Sequence, residues 1–195
     1  MAAGDSARAE VRLAVLGDSL TAGYGLAQSD SFPAQLEAKL ADAGLAVVVI
    51  NAGVSGDTTA GGRRRLDWLL DDEPQAVIIE LGANDGLRGI DPEQTFSNLD
   101  AILTRLAEEG LPVLLTGMWA PPNYGLAYGK AFKAVFPRLA EKHDVELYPF
   151  FLDGVAGRAG LNQRDGIHPN AEGVVVIVEG ILPQVEDLLE SIGQP

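Results

Sequence analysis

The sequence contains no cysteine, and this absence removes several kinds of chemistry. Without cysteine there is no disulfide, no thiolate metal ligand and no cysteine nucleophile. Histidine is nearly as scarce, with 2 residues in a chain of 195. A metal site built from several imidazoles is therefore excluded, and a histidine base, if there is one, must be one of these two residues.

Positive charge and long apolar runs are also in short supply. Lys and Arg number 14 against 28 Asp and Glu, which gives a formal net charge of −14. This charge opposes binding to nucleic-acid phosphates, so we expect no nucleic-acid partner. Because no run of about 18 apolar residues is present, we also expect no integral membrane segment. The oligomeric state cannot be read from the sequence.

What the sequence does contain is an alternation of short apolar runs and helix-like segments. The apolar runs, rich in β-branched residues, occupy residues 11–16, 46–50, 76–81, 112–116 and, more weakly, 145–148. The helix-like segments occupy residues 32–43, 59–70, 92–109, 128–143 and 171–192. Because parallel strands need crossover connections, this order predicts an α/β fold with three α/β/α layers and a mostly parallel sheet of about five strands. We expect residues 1–10 to form a flexible N-terminal segment and residues 11–195 to form one domain.

Chemically distinctive residues lie in the loops that follow the predicted strands. These loops read GDSLT at residues 17–21, NAGVSGD at 51–57, GANDG at 82–86 and DGIHPN at 165–170. Ligands of parallel α/β sheets bind outside the carboxyl ends of the strands. We therefore expect the four loops to meet at one edge of the sheet.

Two of these loops offer the parts of an activated serine. A serine hydroxyl becomes a nucleophile when a base within hydrogen-bond reach takes its proton, so Ser19 needs an oriented imidazole. His168 is such a candidate, since Asp165 three residues earlier can hold its ring; taken alone, however, this spacing is more typical of a structural turn. His143 lies near the end of a predicted helix, where we expect an exposed ring close to the last carbonyls.

The other two loops offer hydrogen-bond donors for an oxyanion. Such donors are commonly backbone N–H groups at a glycine and side-chain amides, and Gly56 and Asn84 are of these types. Each also has a simpler interpretation, because Gly56 suits a turn with positive φ and Asn84 suits a helix cap or turn. The combination of four such loops at one sheet edge favours a catalytic site.

Read in order, the blocks GDSL, SGDT, GAND and DGIHPN resemble those of the SGNH (GDSL) hydrolase family. The likeness spans nearly the whole chain and is strongest to the bacterial branch of thioesterase I, lysophospholipase L1 and arylesterase. It implies a flavodoxin-like SGNH hydrolase fold, with Ser19 as nucleophile, His168 as base and Asp165 as orienting acid. The expected reaction is hydrolysis of carboxylic esters with short-to-medium acyl or aryl groups through an acyl-enzyme, with acyl thioesters and lysophospholipids as further substrates.

The same resemblance implies an oxyanion hole made by the N–H groups of Ser19 and Gly56 and the side chain of Asn84. It implies no metal and no organic cofactor, and a small-molecule ester or thioester as the partner. Members of this branch are often exported, so a periplasmic or secreted location is expected, with the cytoplasm as the alternative.

Two further segments are candidates for substrate contacts. Residues 118–124 read MWAPPNY, and core packing or a rigid turn explains this segment equally well. Together with residues 87–90 it suggests four substrate-binding residues, namely Leu87, Trp119, Pro122 and Tyr124.

Three features next to these motifs have less direct readings. The run Arg63, Arg64 and Arg65 could meet the phosphates of an acyl-CoA, but helix-spaced pairing with Asp67 on a solvated face is the stronger expectation. Asp18, beside the serine, is expected to accept hydrogen bonds within its loop. GDSLT is not the GxSxG elbow of α/β-hydrolases, so we do not assume their strand–turn–helix context.

Rival functions remain at this stage. A carbohydrate acetyl esterase of the same fold fits the same motifs. A metallophosphoesterase is weaker because two histidines are few for a two-metal site. A flavodoxin-like binding module is weaker because neither GxGxxG nor a Walker A motif occurs.

Overall fold

The structure is a computed structural model that describes residues 10–193. Its sheet has five strands, β1 Val11–Gly17, β2 Val47–Gly53, β3 Ala76–Glu80, β4 Val113–Thr116 and β5 Glu146–Tyr148. All neighbouring strands are parallel, in the order β2-β1-β3-β4-β5. The predicted parallel sheet of about five strands is confirmed. The expected flexible segment, residues 1–10, lies outside the described residues except for Glu10.

The strands form because their apolar residues are covered on both faces. Every residue of β3 and β4 is buried, as expected for strands without polar alternation. Eight α-helices accompany the strands in the described part of the chain: α1 Ser19–Ala22, α2 Phe32–Asp42, α3 Thr59–Arg64, α4 Leu66–Leu70, α5 Ala83–Leu87, α6 Pro92–Glu108, α7 Gly125–His143 and α8 Ala171–Ser191. Helix α2 packs against α8, while α3 and α7 pack against α6, which gives the expected three layers.

One predicted helix is in fact two. The segment 59–70 forms α3 and α4, and the helix is interrupted at Arg65, which has φ −107° and ψ 10°. The long helix α6 begins as its sequence predicts, because Asp91 accepts a hydrogen bond from the N–H of Glu93 at 3.0 Å and Pro92 occupies the first turn. The short helices α1 and α5 were not predicted, since four or five residues carry no periodic pattern.

The strand order fixes where a ligand can bind. The chain passes from β1 outward to β2 and then returns across β1 to β3, so the direction of winding reverses between β1 and β3. The connections that leave the carboxyl ends of β1 and β3 therefore run in opposite directions, which leaves a crevice between their loops. Between residues 10 and 193, no helix combines the length and apolar character that a membrane crossing requires.

Candidate active site

Ser19 lies where β1 passes into the helical turn α1. Strand β1 ends at Gly17, and Asp18 caps the turn by accepting a hydrogen bond from the N–H of Leu20 at 3.0 Å. Ser19 is only 9% exposed. The serine therefore does follow a strand directly and open a helical turn, a context that the departure from GxSxG gave no reason to expect. Asp18 accepts hydrogen bonds within the loop, as predicted.

His168 connects Ser19 to Asp165 through its two ring nitrogens. The Oγ of Ser19 lies 2.9 Å from Nε2 of His168, and Nδ1 of His168 lies 2.7 Å from Oδ2 of Asp165. The other oxygen of Asp165 accepts the backbone N–H groups of Ile167 and His168, both at 3.1 Å. The hydrogen bond from the His168 ring, followed by these two N–H groups, lowers the pKa of Asp165 to about 2.

This geometry selects a tautomer of the imidazole. Because Asp165 is ionised at neutral pH, it accepts a proton-bearing Nδ1. Nε2 is then left as an acceptor for the hydroxyl of Ser19, which is the arrangement a general base requires.

The loop that carries His168 is held in place by contacts that the sequence motifs did not indicate. The side-chain amide of Gln163 donates to the carbonyls of Tyr24 at 2.7 Å and Pro169 at 2.9 Å. The backbone N–H of Gln163 donates to the His168 carbonyl at 2.7 Å. The Tyr24 ring lies against the imidazole, with 4.7 Å between centroids. Gln163 therefore ties the loop after α1 to the loop that carries His168.

Gly56 and Asn84 face the same region from two other loops. Gly56 has φ +82°, in the left-handed region, and its carbonyl accepts a hydrogen bond from Arg88 at 2.8 Å. The side-chain amide of Asn84 donates one hydrogen to Oδ2 of Asp18 at 3.0 Å. An amide nitrogen carries two hydrogens, so the second one is available to a ligand.

Asp18 belongs to a buried pair of carboxyl groups beneath the serine. Glu80, at the end of β3, is fully buried and accepts hydrogen bonds from the N–H of Asp18 at 3.2 Å and the hydroxyl of Thr21 at 2.8 Å. Its other oxygen has no partner within the described residues. Burial, followed by the charge of Asp18, raises the pKa of Glu80 well above its usual range, which favours its neutral form.

Burial also raises the pKa of Asp18, to about 6, against the opposing hydrogen bonds from Leu20 and Asn84. Asp18 is therefore ionised at neutral pH and becomes protonated in mild acid. It is the group that holds the amide of Asn84 in place.

A second buried carboxylate joins the loops of Gly56 and Asn84. Asp85 accepts the N–H and the hydroxyl of Thr59, at 2.9 and 2.5 Å, and the hydroxyl of Thr95 at 3.3 Å. Since Thr59 opens α3 and Asp85 lies in α5, this cluster fixes the two loops relative to each other. The carboxylate is satisfied by three donors, as a buried charge requires.

The candidate site opens into one cavity of about 640 Å³. Ser19, Gly56, Asn84 and His168 contribute to its wall, and the remaining lining is largely apolar. Among the described residues that line it, none is Asp, Glu, Lys or Arg. Within residues 10–193, no group of three or more His, Asp and Glu side chains has an arrangement suited to a metal ion.

Three of the four residues suggested for substrate contacts line this cavity, namely Leu87, Trp119 and Pro122. The Trp119 indole is stacked on Phe150 with 4.0 Å between ring centroids. Tyr124 lies outside the lining because its hydroxyl donates to the carbonyl of Leu87 at 3.0 Å. Tyr124 thus supports a lining residue and does not itself face the cavity.

The predicted surroundings of the arginine run are partly wrong. Arg63 and Arg64 are exposed as expected. The side chain of Arg65, however, is only 14% exposed and pairs with Asp57 at 2.7 Å. Asp67 is paired instead with Arg105, at 3.6 Å. No reading of helix spacing alone identifies Arg65 as the inward-facing member of the run.

The prediction for His143 is also wrong. Its ring is only 12% exposed, and Nε2 lies 2.7 Å from Oδ1 of Asp100 in α6. The same oxygen accepts a hydrogen bond from Lys142 at 2.6 Å. His143 therefore joins α7 to α6 and does not lie free at the helix end.

Comparison with known proteins places this geometry in a family. The chain is 46% identical to Esterase TesA of Pseudomonas aeruginosa over 178 residues, which are 91% of this chain and 89% of that protein. It is 41% identical to Thioesterase 1/protease 1/lysophospholipase L1 of Escherichia coli K12 over 178 residues, 91% of this chain and 84% of that protein. A crystal structure of the psychrotrophic esterase EstA from a Pseudoalteromonas species, inhibited by monoethylphosphonate, matches with a TM-score of 0.88 at 36% identity, and the match covers 93% of this chain and 100% of EstA. Since the GDSL-like Lipase/Acylhydrolase family profile matches residues 15–175, the chain belongs to that family.

Proposed function

We propose that the chain is a serine hydrolase that cleaves carboxylic esters through an acyl-enzyme on Ser19. The observation that carries this proposal is the continuous hydrogen-bonded series from Ser19 through His168 to Asp165 at the wall of the cavity. A serine, an imidazole and an ionised carboxylate in this order are the parts of a nucleophile, a base and an orienting acid.

In the proposed reaction, the Oγ of Ser19 forms a bond to the carbonyl carbon while its proton passes to Nε2 of His168. Asp165 stabilises the resulting imidazolium. The tetrahedral intermediate collapses by breaking the bond to the alcohol or thiol, which takes the proton from His168. Water then attacks the acyl-serine while His168 accepts its proton. The second tetrahedral intermediate collapses by breaking the bond to Oγ of Ser19, which takes the proton from His168 as the acid is released.

The negative charge of the tetrahedral intermediate is assigned to three donors. These are the N–H groups of Ser19 and Gly56 and the second amide hydrogen of Asn84. Neither N–H group donates to another group in the described part of the chain. Donors held in place before the reaction stabilise developing charge without reorganisation, and removal of one such donor typically costs about 10²- to 10³-fold in kcat.

The substrate class follows from the lining of the cavity. An apolar wall that includes Leu87, Trp119 and Phe150 suits an apolar acyl or aryl group, and the absence of charged side chains among the described lining residues favours a neutral ester. The names of the relatives, an esterase and a thioesterase/lysophospholipase, support esters as the main class and thioesters as a further one. Acyl-chain preference and the expected periplasmic location remain predictions.

The test is labelling by an alkyl fluorophosphonate, followed by intact-mass measurement and peptide mapping. We expect one label on Ser19, and we expect Ser19→Ala to lose both the label and the hydrolysis of p-nitrophenyl butyrate. Ser55→Ala is the matched control, because Ser55 also lines the cavity and has no assigned role in the reaction. Folded protein that takes no label, or a label on Ser55, would contradict the proposal.

A further inference from the structure

Arg65 makes three hydrogen bonds to three separate parts of the chain beside the candidate site. Its Nε donates to Oδ2 of Asp57 at 2.7 Å, one terminal nitrogen donates to the carbonyl of Ala52 at 2.7 Å, and the other donates to the carbonyl of Gly17 at 2.8 Å. Arg65 is not among the residues that line the cavity. Its contacts therefore act on the backbone and not on a bound substrate.

The two carbonyls belong to neighbouring strands at the point where the strands separate. Gly17 ends β1 and is paired with Gly53, while Ala52 is paired with Leu16 one position earlier. Beyond this point β1 leads to Ser19 within two residues, and β2 leads to Gly56 within three. The guanidinium of Arg65 thus spans the base of the fork whose two arms carry Ser19 and Gly56.

The third contact fixes the far end of the second arm. Asp57 directly follows Gly56, and its carboxylate lies so close to Gly61 that a Cβ at Gly61 would collide with it. The ion pair is largely shielded from water, since the side chains of Arg65 and Asp57 are 14% and 13% exposed. The arm that carries Gly56 is therefore held on both sides by one side chain.

We infer that Arg65 is a positioning residue that sets the distance between the two backbone donors of the oxyanion hole, the N–H groups of Ser19 and Gly56. This inference rests on the proposed function. The planar guanidinium carries five N–H donors in a fixed arrangement, so it can serve two carbonyls and a carboxylate at once. A lysine ammonium retains the charge but cannot hold the same three acceptors in their present geometry.

The decisive variant is Arg65→Lys, with Arg64→Lys as the matched control because Arg64 is exposed on the same run. We expect Arg65→Lys to lower kcat for p-nitrophenyl butyrate about 10- to 100-fold, since a displacement of about 1 Å at donors of this type is costly. KM should stay within about 3-fold of the native value because no lining residue is changed. Arg64→Lys should leave both constants unchanged.

A second measurement separates positioning from general loss of structure. The Ser19 oxygen adds to the carbonyl carbon of an alkyl trifluoromethyl ketone. The adduct carries an oxyanion at the position that the oxyanion of the ester intermediate occupies. The inhibition constant of the ketone should rise in Arg65→Lys by the same factor as kcat/KM falls. The end-point stoichiometry of fluorophosphonate labelling should show that most sites are still competent. Arg65→Ala with added guanidinium chloride at low millimolar concentration should recover part of the lost kcat.

Two results would overturn the inference. One is Arg65→Lys with native kcat and native affinity for the ketone. The other is a loss of activity equal to the loss of sites counted by fluorophosphonate labelling at its end-point, since the surviving sites would then be native and Arg65 merely structural. Wild-type protein that takes no fluorophosphonate label would instead remove the proposed function itself, so the two failures are distinguishable.

Discussion

The two histidines of this chain offer an informative comparison, because each lies 2.7 Å from a carboxylate. Asp165 contacts Nδ1 of His168, which leaves Nε2 facing the hydroxyl of Ser19 at 2.9 Å. Asp100 contacts Nε2 of His143, and in the described part of the chain no hydroxyl contacts the other nitrogen of that ring. A histidine beside an aspartate is therefore poor evidence for catalysis; a free nitrogen facing a nucleophile in a cavity is the useful sign.

The two carboxylates differ as well. Asp165 is oriented by N–H groups of its own turn, so its second oxygen is dedicated to the ring. Asp100 shares one oxygen between His143 and Lys142, and the hydrogen bond from Lys142 is the main cause that lowers the pKa of Asp100. The first pair leaves a ring oriented towards Ser19, as the proposed reaction requires, and the second joins two helices.

The largest expected effect comes from exchanging each histidine in turn. His168→Ala removes the proposed base and should lower kcat/KM for p-nitrophenyl butyrate by about 10⁴-fold or more. His143→Ala should leave kcat/KM within about 2-fold. Initial rates, with circular dichroism to verify folding, measure both. Equal losses in the two variants would remove the distinction drawn here.

The next largest effect on kcat is expected from the carboxylates beside the two histidines. Asp165→Asn keeps the size of the side chain but favours the wrong tautomer of His168, so kcat should fall by about 10³-fold. Asp100→Asn makes the same chemical change beside the other ring and should leave kcat nearly unchanged. A loss below about 10-fold in Asp165→Asn would indicate that the carboxylate does not orient the base.

A smaller effect is expected from Asp18 beneath the serine. Its carboxylate orients the side-chain amide of Asn84, whereas Asp165 orients an imidazole ring. In Asp18→Asn a donor NH₂ group replaces one of the two acceptor oxygens, so the hydrogen bond from the Asn84 amide should be lost and the amide should rotate. We expect kcat to fall about 10- to 100-fold. Glu80→Gln is the paired variant; because burial raises the pKa of Glu80 and Gln resembles the neutral carboxyl, kcat should change by less than about 3-fold. The order of these two losses is the measured outcome, and a reversed order would assign the ionised group to Glu80.

The smallest effect concerns the pH dependence of stability. The pKa of Asp18 is about 6 in the folded chain and about 4 when unfolded, so the folded chain binds more protons between these values. This contribution is fully present below pH ~4 and is lost as the pH rises through ~6, by at most about 3 kcal/mol. Urea unfolding at several pH values should show this decline in the wild type and a weaker one in Asp18→Asn.

Asp165 has the opposite sign. Its pKa is lowered to about 2, so its contribution is present above pH ~4 and is lost as the pH falls towards 2. In Asp165→Asn the loss of stability in strong acid should become smaller, since Asp100 and Glu93 also have lowered pKa values, while the decline between pH 4 and 6 remains. A variant that changes both ranges would mean that the two groups are coupled.

The fold was predictable because its information is local. Each apolar run became a strand with ends shifted by three residues or fewer; the largest shift is in the edge strand β2, which continues to Gly53 through the exposed Asn51. The split of α3 from α4 was not predictable, because Arg65 turns inward towards a carbonyl 48 residues away. Helix propensity contains no information about such a contact.

The residues of the candidate site likewise fall into those that the sequence identified and those that it did not. Residue type, loop position and the family resemblance identified Ser19, Asp165 and His168, and their catalytic roles remain predictions that the experiments above test. Glu80 and Gln163 were not singled out because their importance lies in contacts across the sheet edge. His143 was misjudged for the same reason, since its partner lies 43 residues earlier in another helix.

The separation of Ser19 and His168 by 149 positions has a consequence for biosynthesis. The ribosome makes the nucleophile loop early, and the loop that bears the imidazole emerges only after all five described strands. A nascent chain that ends before residue 165 thus holds the proposed nucleophile and the three proposed oxyanion donors without the proposed base. Ester hydrolysis by translation intermediates would therefore begin only once the last loop has docked, which makes enzyme activity a direct report of completed folding.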